Sequence, residues 1–216
     1  VPPVVVALFV FIAGVEGLFS LAERGLVGGP QSVGWRLQAA QDYAFSGEIF
    51  DWMLTNGVWP VEHVIRLVAY PFVHGSFTHA LFACVMLLAL GKMVAEVMGD
   101  WRTLAIFVVS GIGGAVGFAL ALDDPTPLIG AFPPVYGLIG AFTYLLWLRL
   151  GQMGEQQIRA FGLIGVLLLL QLIFGVFFQG GRDWVADVSA FATGFALAVV
   201  LTPGGFADIL ARLRQR

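Results

Sequence analysis

His74, Ser76 and His79 stand within six residues of one another, a hydroxyl between two imidazoles. An imidazole placed beside a hydroxyl can take its proton and leave a nucleophilic oxygen. Ser76 and His79 are three apart, so they can meet at the start of a helix, although such neighbours there more often make a cap hydrogen bond. Ser110 and Ser189 are further hydroxyls to weigh. Ser189 follows Asp187 by two positions, which puts it on a different helix face. Two carboxylates, Glu16 and Asp187, interrupt strongly apolar runs, and an ionisable group in such a run is a functional-site hypothesis by default. For Glu16 the expected partner is an interior polar group such as Gln171, a histidine, or a residue of another protein. Asp187 has two readings: a shallow position reached by Arg182 and water, or a buried hydrogen bond to His79 or Tyr136. The single cysteine, Cys84, allows no intrachain disulfide and no thiolate metal site. No metal and no cofactor is expected.

The elements that must position these groups are membrane helices. The chain of 216 residues is 59% hydrophobic and only 12% charged, with a mean hydropathy of +0.89; soluble domains are nearer a quarter charged. Six apolar runs reach the roughly 20 residues that a spanning helix needs. They cover 3–22, 77–97, 103–122, 128–148, 160–178 and 184–201, within a single domain over 1–216. The runs are continuous rather than alternating, which favours helices over a barrel. The first is read as a retained span, since it is long for a signal peptide and has no basic flank. Four of the five connections are short. The other, 23–72, mixes aromatic and polar residues around Trp35, Tyr43, Trp52 and Trp59, a composition suited to one or two amphipathic helices lying in the interface. Basic residues set orientation: Lys92, Arg102, Arg149, Arg159, Arg212, Arg214 and Arg216 fall on one side, Arg24, Arg36, Arg66 and Arg182 on the other. Both termini are therefore expected in the cytoplasm. No basic run points to nucleic acid.

Around the second span the chain reads Tyr70-Pro71-Phe72-Val73-His74-Gly75-Ser76-Phe77-Thr78-His79, with Ala83 four residues on, and the fourth span opens Gly130-Ala131-Phe132-Pro133-Pro134-Val135-Tyr136-Gly137. Both resemble the rhomboid intramembrane proteases, which write Phe-x-His-x-x-x-x-His-x-x-x-Asn and Gly-x-Ser-Gly in these places. Gly91, Glu96 and Gly99, the Trp35-Arg36 pair and the last-span pattern Ala186-Asp187 through Gly194 are similar to family features as well. The resemblance implies an all-α membrane protein, a six-helix rhomboid-like bundle with a long interfacial first loop. It also implies a serine nucleophile on the fourth span, a histidine base on the sixth, and a histidine and asparagine on the second that stabilise the oxyanion. Here Phe132 stands at the serine position, Asp187 at the histidine and Ala83 at the asparagine, while His79 is retained.

Those departures lead to the expectation of a chain that is not an enzyme, because nucleophile, base and one oxyanion donor are each worth orders of magnitude in rate. Phe132 and the prolines, which have no N–H, are read as apolar filling of a once-wet hollow. His74, His79, Glu16 and Asp187 are then structural polar groups. The function expected is that of a bacterial inner-membrane protein holding transmembrane segments of partner proteins, within a larger multisubunit membrane complex. Trp35, Arg36, Trp52 and Trp59 of the first loop are the expected partner-binding residues, beside the second and fifth spans. Two alternatives stand: an intramembrane serine protease with a relocated nucleophile, and a transporter using Glu16 and Asp187, which the lack of an inverted repeat disfavours.

Overall fold

In the computed structural model the described residues are 1–178 and 182–202, with 171–178 described through the backbone alone. Gln171's side chain and the basic C-terminal residues Arg212, Arg214 and Arg216 lie outside that set. The described residues are almost entirely helical. Helix α1 covers Pro3–Glu23. Four short helices follow in the first loop: α2 (Trp35–Tyr43), α3 (Gly47–Asn56), α4 (Val61–Val64) and α5 (Arg66–Ala69). The long helices resume with α6 (Phe77–Met98), α7 (Asp100–Ala121), α8 (Phe132–Gln152), α9 (Gly162–Phe178) and α10 (Trp184–Leu201).

Among the described residues, α1, α6, α7 and α10 are each long and apolar enough to cross a membrane. Helix α8 is more polar and sits innermost. Pro133 through Ala141, then Thr143 and Tyr144, are all buried, so its tyrosines and threonine face protein rather than lipid. Helix α10 packs most heavily on α8 and next on α7, while α1 leans on α6. The closeness of α8 to α10 rests on glycine. An added Cβ at Gly194 would collide with the Gly137 backbone, and one at Gly140 with the Phe191 carbonyl. Backbones meet there at a distance no side chain permits. The described residues form an all-α helical bundle with apolar spanning helices, as expected.

Three boundaries differ from the sequence reading for local reasons. Helix α7 starts at Asp100 rather than 103, directly after Gly99, whose φ of 83° ends α6 and begins α7 without a linker. Helix α8 starts at 132 rather than 128. Pro133 and Pro134 occupy its first turn, where a missing N–H is harmless, and the chain bends through Gly130 and Ala131 before entering it. The loop holds four short helices instead of one or two. Gly57 in the left-handed region (φ 65°) stops α3, and Pro60 sits as N-cap of α4.

Candidate functional site

The site is built on the segment 128–131, which enters α8 from the outer loop. The backbone N–H groups of Leu128, Gly130 and Ala131 each donate to a different part of the chain. Leu128 N–H donates to the Phe45 carbonyl at 2.8 Å and its own carbonyl accepts from Phe45 N–H at 3.0 Å. Gly130 N–H donates to the Tyr70 carbonyl at 3.0 Å, and Ala131 N–H donates to His74 Nε2 at 3.2 Å. Buried backbone donors outside a helix need partners within the protein, and here two separate parts of the first loop and the residue run before α6 supply them.

Gly130 has a φ of 96°, and an added Cβ would stand 2.6 Å from the Cε1 and Nε2 atoms of His79. Only glycine takes that conformation and that contact together. His79, in the first turn of α6, thus lies on the Gly130 backbone. Its ring stacks on Phe132 with centroids 5.2 Å apart and planes at 14°, and meets His74 edge-on at 5.1 Å. His74 itself is 1% exposed. Burial pushes its imidazole down to about 4, helped by the neighbouring charges of His79 and Arg36 and opposed by Glu16. The neutral ring is the form whose Nε2 can accept from Ala131.

The structure brings only some of the sequence-predicted residues together. His74, His79, Phe132 and the start of α8 come together as that ring stack. Ala83 is fully buried one turn below, in the same core as Leu87 and Val135. An asparagine in such a position would need a partner. Ser76 is the N-cap of α6, its Oγ accepting from His79 N–H at 3.2 Å, as the capping alternative anticipated. Asp187 lies in the first turn of α10, close to the helix start as one reading expects, yet it is only 2% exposed and so buried from solvent. Its charge, after burial, raises the Tyr70 phenol well above its ordinary value; that hydroxyl donates to the Gly111 carbonyl at 2.8 Å. Ser110 is buried under Gly137.

Glu16 and Arg36 correct two expectations. Glu16 finds its partner in the loop, not in a span: Arg36 Nη1 and Nη2 donate to its two carboxylate oxygens, each at 2.8 Å. Arg36 is thereby drawn inward, and its guanidinium is raised above its ordinary value by that hydrogen bonding. Trp35 is half-buried with its ring against Gly28. Trp52 and Trp59 stay about half exposed, at 48% and 49%, Trp52 edge-on to His63 and Trp59 edge-on to Phe50. Sequence reasoning gave no role to Phe45 or Tyr70; Gly130 entered only as the first glycine of the Gly-x-Ser-Gly resemblance, two residues before the proline-led helix.

A model of the rhomboid domain matches residues 61–204, which takes in α4 through α10 and every residue of the ring stack. Two Arabidopsis thaliana proteins, RHOMBOID-like protein 4 and RHOMBOID-like protein 5, are each 27% identical to this chain, over 136 and 137 residues. Each match covers 63% of this chain, and it spans 34% and 43% of the two plant proteins, less than half of either. A Bacillus subtilis (strain 168) protein named "Putative rhomboid protease YdcA" is 23% identical over 145 residues, 67% of this chain and 68% of that protein. These matches overturn the expectation of a chain that is not an enzyme. The family is typically one of serine proteases, and the Bacillus relative is named as a protease. Departures at single positions were given more weight there than a family match of this extent permits. With the domain matched over well more than half its length and the helical bundle in place, the chain belongs to the rhomboid family, as a multi-pass membrane protein.

Proposed function

We propose that this rhomboid domain binds transmembrane segments of partner proteins, along the lipid-facing side of α6 and its flank toward α9. The observation that carries the reading is the joining of a rigid ring stack to an apolar strip at the outer end of α6. Phe77, Leu81, Phe82 and Val85 are 48–59% exposed on the helix whose first turn holds His79. On α9, Leu163, Val166, Leu169 and Leu170 are exposed as well, toward that helix's inner end. In lipid no hydrophobic force drives helices together, so docking depends on close packing against a shaped and preorganised surface. The half-exposed Trp52 and Trp59 of the loop would meet the partner where it leaves the bilayer. The setting is a bacterial inner membrane with both termini in the cytoplasm, which puts Lys92, Arg102, Arg149 and Arg159 inside. Native purification in a polymer disc followed by mass spectrometry tests the reading. A stoichiometric membrane protein is expected with the chain, and recovery of the chain alone contradicts it.

A second reading has the name of the Bacillus relative in its favour: intramembrane peptide hydrolysis by a hydroxyl other than one at position 132. Ser76 is exposed and adjoins His74 and His79 in the chain, which makes it the hydroxyl to examine. Labelling by a fluorophosphonate that Ser76→Ala abolishes is the result this reading requires.

A further inference from the structure

Arg36 lies in the first turn of α2, the first helix of the loop, yet its guanidinium joins three separate parts of the chain. Besides the paired bonds to Glu16, Nε donates to Glu23 Oε1 at 2.6 Å, and Nη1 also donates to the His74 carbonyl at 2.8 Å. The cation lies 5.5 Å from the centre of the Phe19 ring, and Glu16 accepts a further bond from Ser20 Oγ at 2.9 Å. The Arg36 and Glu16 side chains are only 12% and 5% exposed. Two opposite charges can be held away from water only when the geometry is good and the remaining donors are used. The planar fork of arginine, with five N–H groups, answers five acceptor atoms at once, which a lysine cannot do.

His74 is then gripped at both ends, its carbonyl by Arg36 and its ring by Ala131 N–H. A continuous path of hydrogen bonds runs from Glu16 in α1, through Arg36 and His74, to the residue before Phe132. We infer that Arg36, clamped by Glu16, is a positioning residue for the site: it fixes His74, and through His74 the segment 129–132 and the stack of His79 on Phe132. This holds whichever of the two functions the site performs, since it concerns where the rings sit. Glu16 is then neither a proton carrier nor a docking group, but the buried anchor of the path.

The test uses the full chain in lipid discs, with diethyl pyrocarbonate modification of each histidine read by peptide mass and amide exchange read over 129–132. In the parent protein His74 stays unmodified while His63, in α4 and off the path, reacts. Glu16→Gln is expected to raise modification of His74 and exchange over 129–132 about tenfold, the signature of an eased local opening, with His63 unchanged. Loosening confined to 30–43, with His74 and 129–132 as in the parent, would mean that Arg36 only staples the loop, and overturns the inference. Should Glu16→Gln not fold, Arg36→Lys keeps the charge but not the fork. It is expected to give a smaller rise, about threefold, at the same two places; no rise there overturns the inference equally.

Discussion

At the scale of single residues the account rests on how 128–131 is pinned and what leans on it. Gly130→Ala places a Cβ in a left-handed conformation and against the His79 imidazole. Both faults cost energy, so the variant is expected to lose about 1–3 kcal/mol of stability, read as a lower unfolding midpoint. Phe132→Ala removes one ring of the stack. A loss of about 1–3 kcal/mol is expected, together with faster chemical modification of His79, whose face the phenyl covers. The pH response follows from His74. Its folded value near 4 lies below the ordinary 6.5, so the unfolded or opened chain binds the proton first as pH falls. The stability His74 contributes is full above about 6.5 and drains away between there and about 4. The protection of the 129–132 amides, taken relative to their intrinsic exchange rate at each pH, should therefore fall across that window, and His74→Gln should flatten the profile. Much of this was legible in the chain: the two histidines stood out by their spacing around Ser76, and Phe132 and the prolines by the resemblance of their segment to a family motif. Glu16's partner was not, because charge pairing was sought within the spans, among Gln171 and the histidines. Arg36 is twenty residues away in a loop, and no periodicity relates a loop residue to a helix face.

At the scale of elements, the helices were readable because lipid imposes length and apolarity on each. The ends of α10 match the expected 184–201, and α1 and α6 run one residue past their expected ends. The fourth span was placed four residues early, since Leu128 and Ile129 are as apolar as the helix they precede. Hydropathy does not see that Gly130 turns the backbone and that the prolines start the helix. The loop was harder still. Its four short helices are held by contacts to other elements, such as Arg66 Nη1 donating to the Ala44 carbonyl at 3.0 Å, rather than by an amphipathic repeat. A prediction belongs to this scale. Gly194 on α10 touches the Gly137 backbone on α8, and the approach admits no methyl group. Gly194→Val is expected to force the two helices apart and cost about 1–3 kcal/mol or more. Gly162→Ala, with open space around the added methyl, should leave the midpoint within about 0.5 kcal/mol of the parent. Equal effects from the two would show that the α8–α10 contact is not tight.

At the scale of the whole molecule, family membership was legible from a handful of motifs, whereas what the family match permits was not. Reading Phe132, Asp187 and Ala83 one at a time led to the exclusion of enzyme activity, which the rhomboid domain match and the protease-named relative corrected. The orientation proposed for the bundle makes its own prediction. Single cysteines placed beside Arg102 and Arg149 should be labelled by a membrane-impermeant maleimide only from the cytoplasmic side, and one beside Trp59 only from the opposite side. The central claim is that a foreign transmembrane segment docks on α6. A photoreactive amino acid at Phe82, 59% exposed on that helix, tests it in living membranes, with Val10 on the far face of α1, 58% exposed, as the control. The account predicts a crosslink from position 82, and not from position 10, that maps by mass spectrometry to an apolar run of about 20 residues in another membrane protein. Crosslinks to lipid alone, or the same products from both positions, would contradict it.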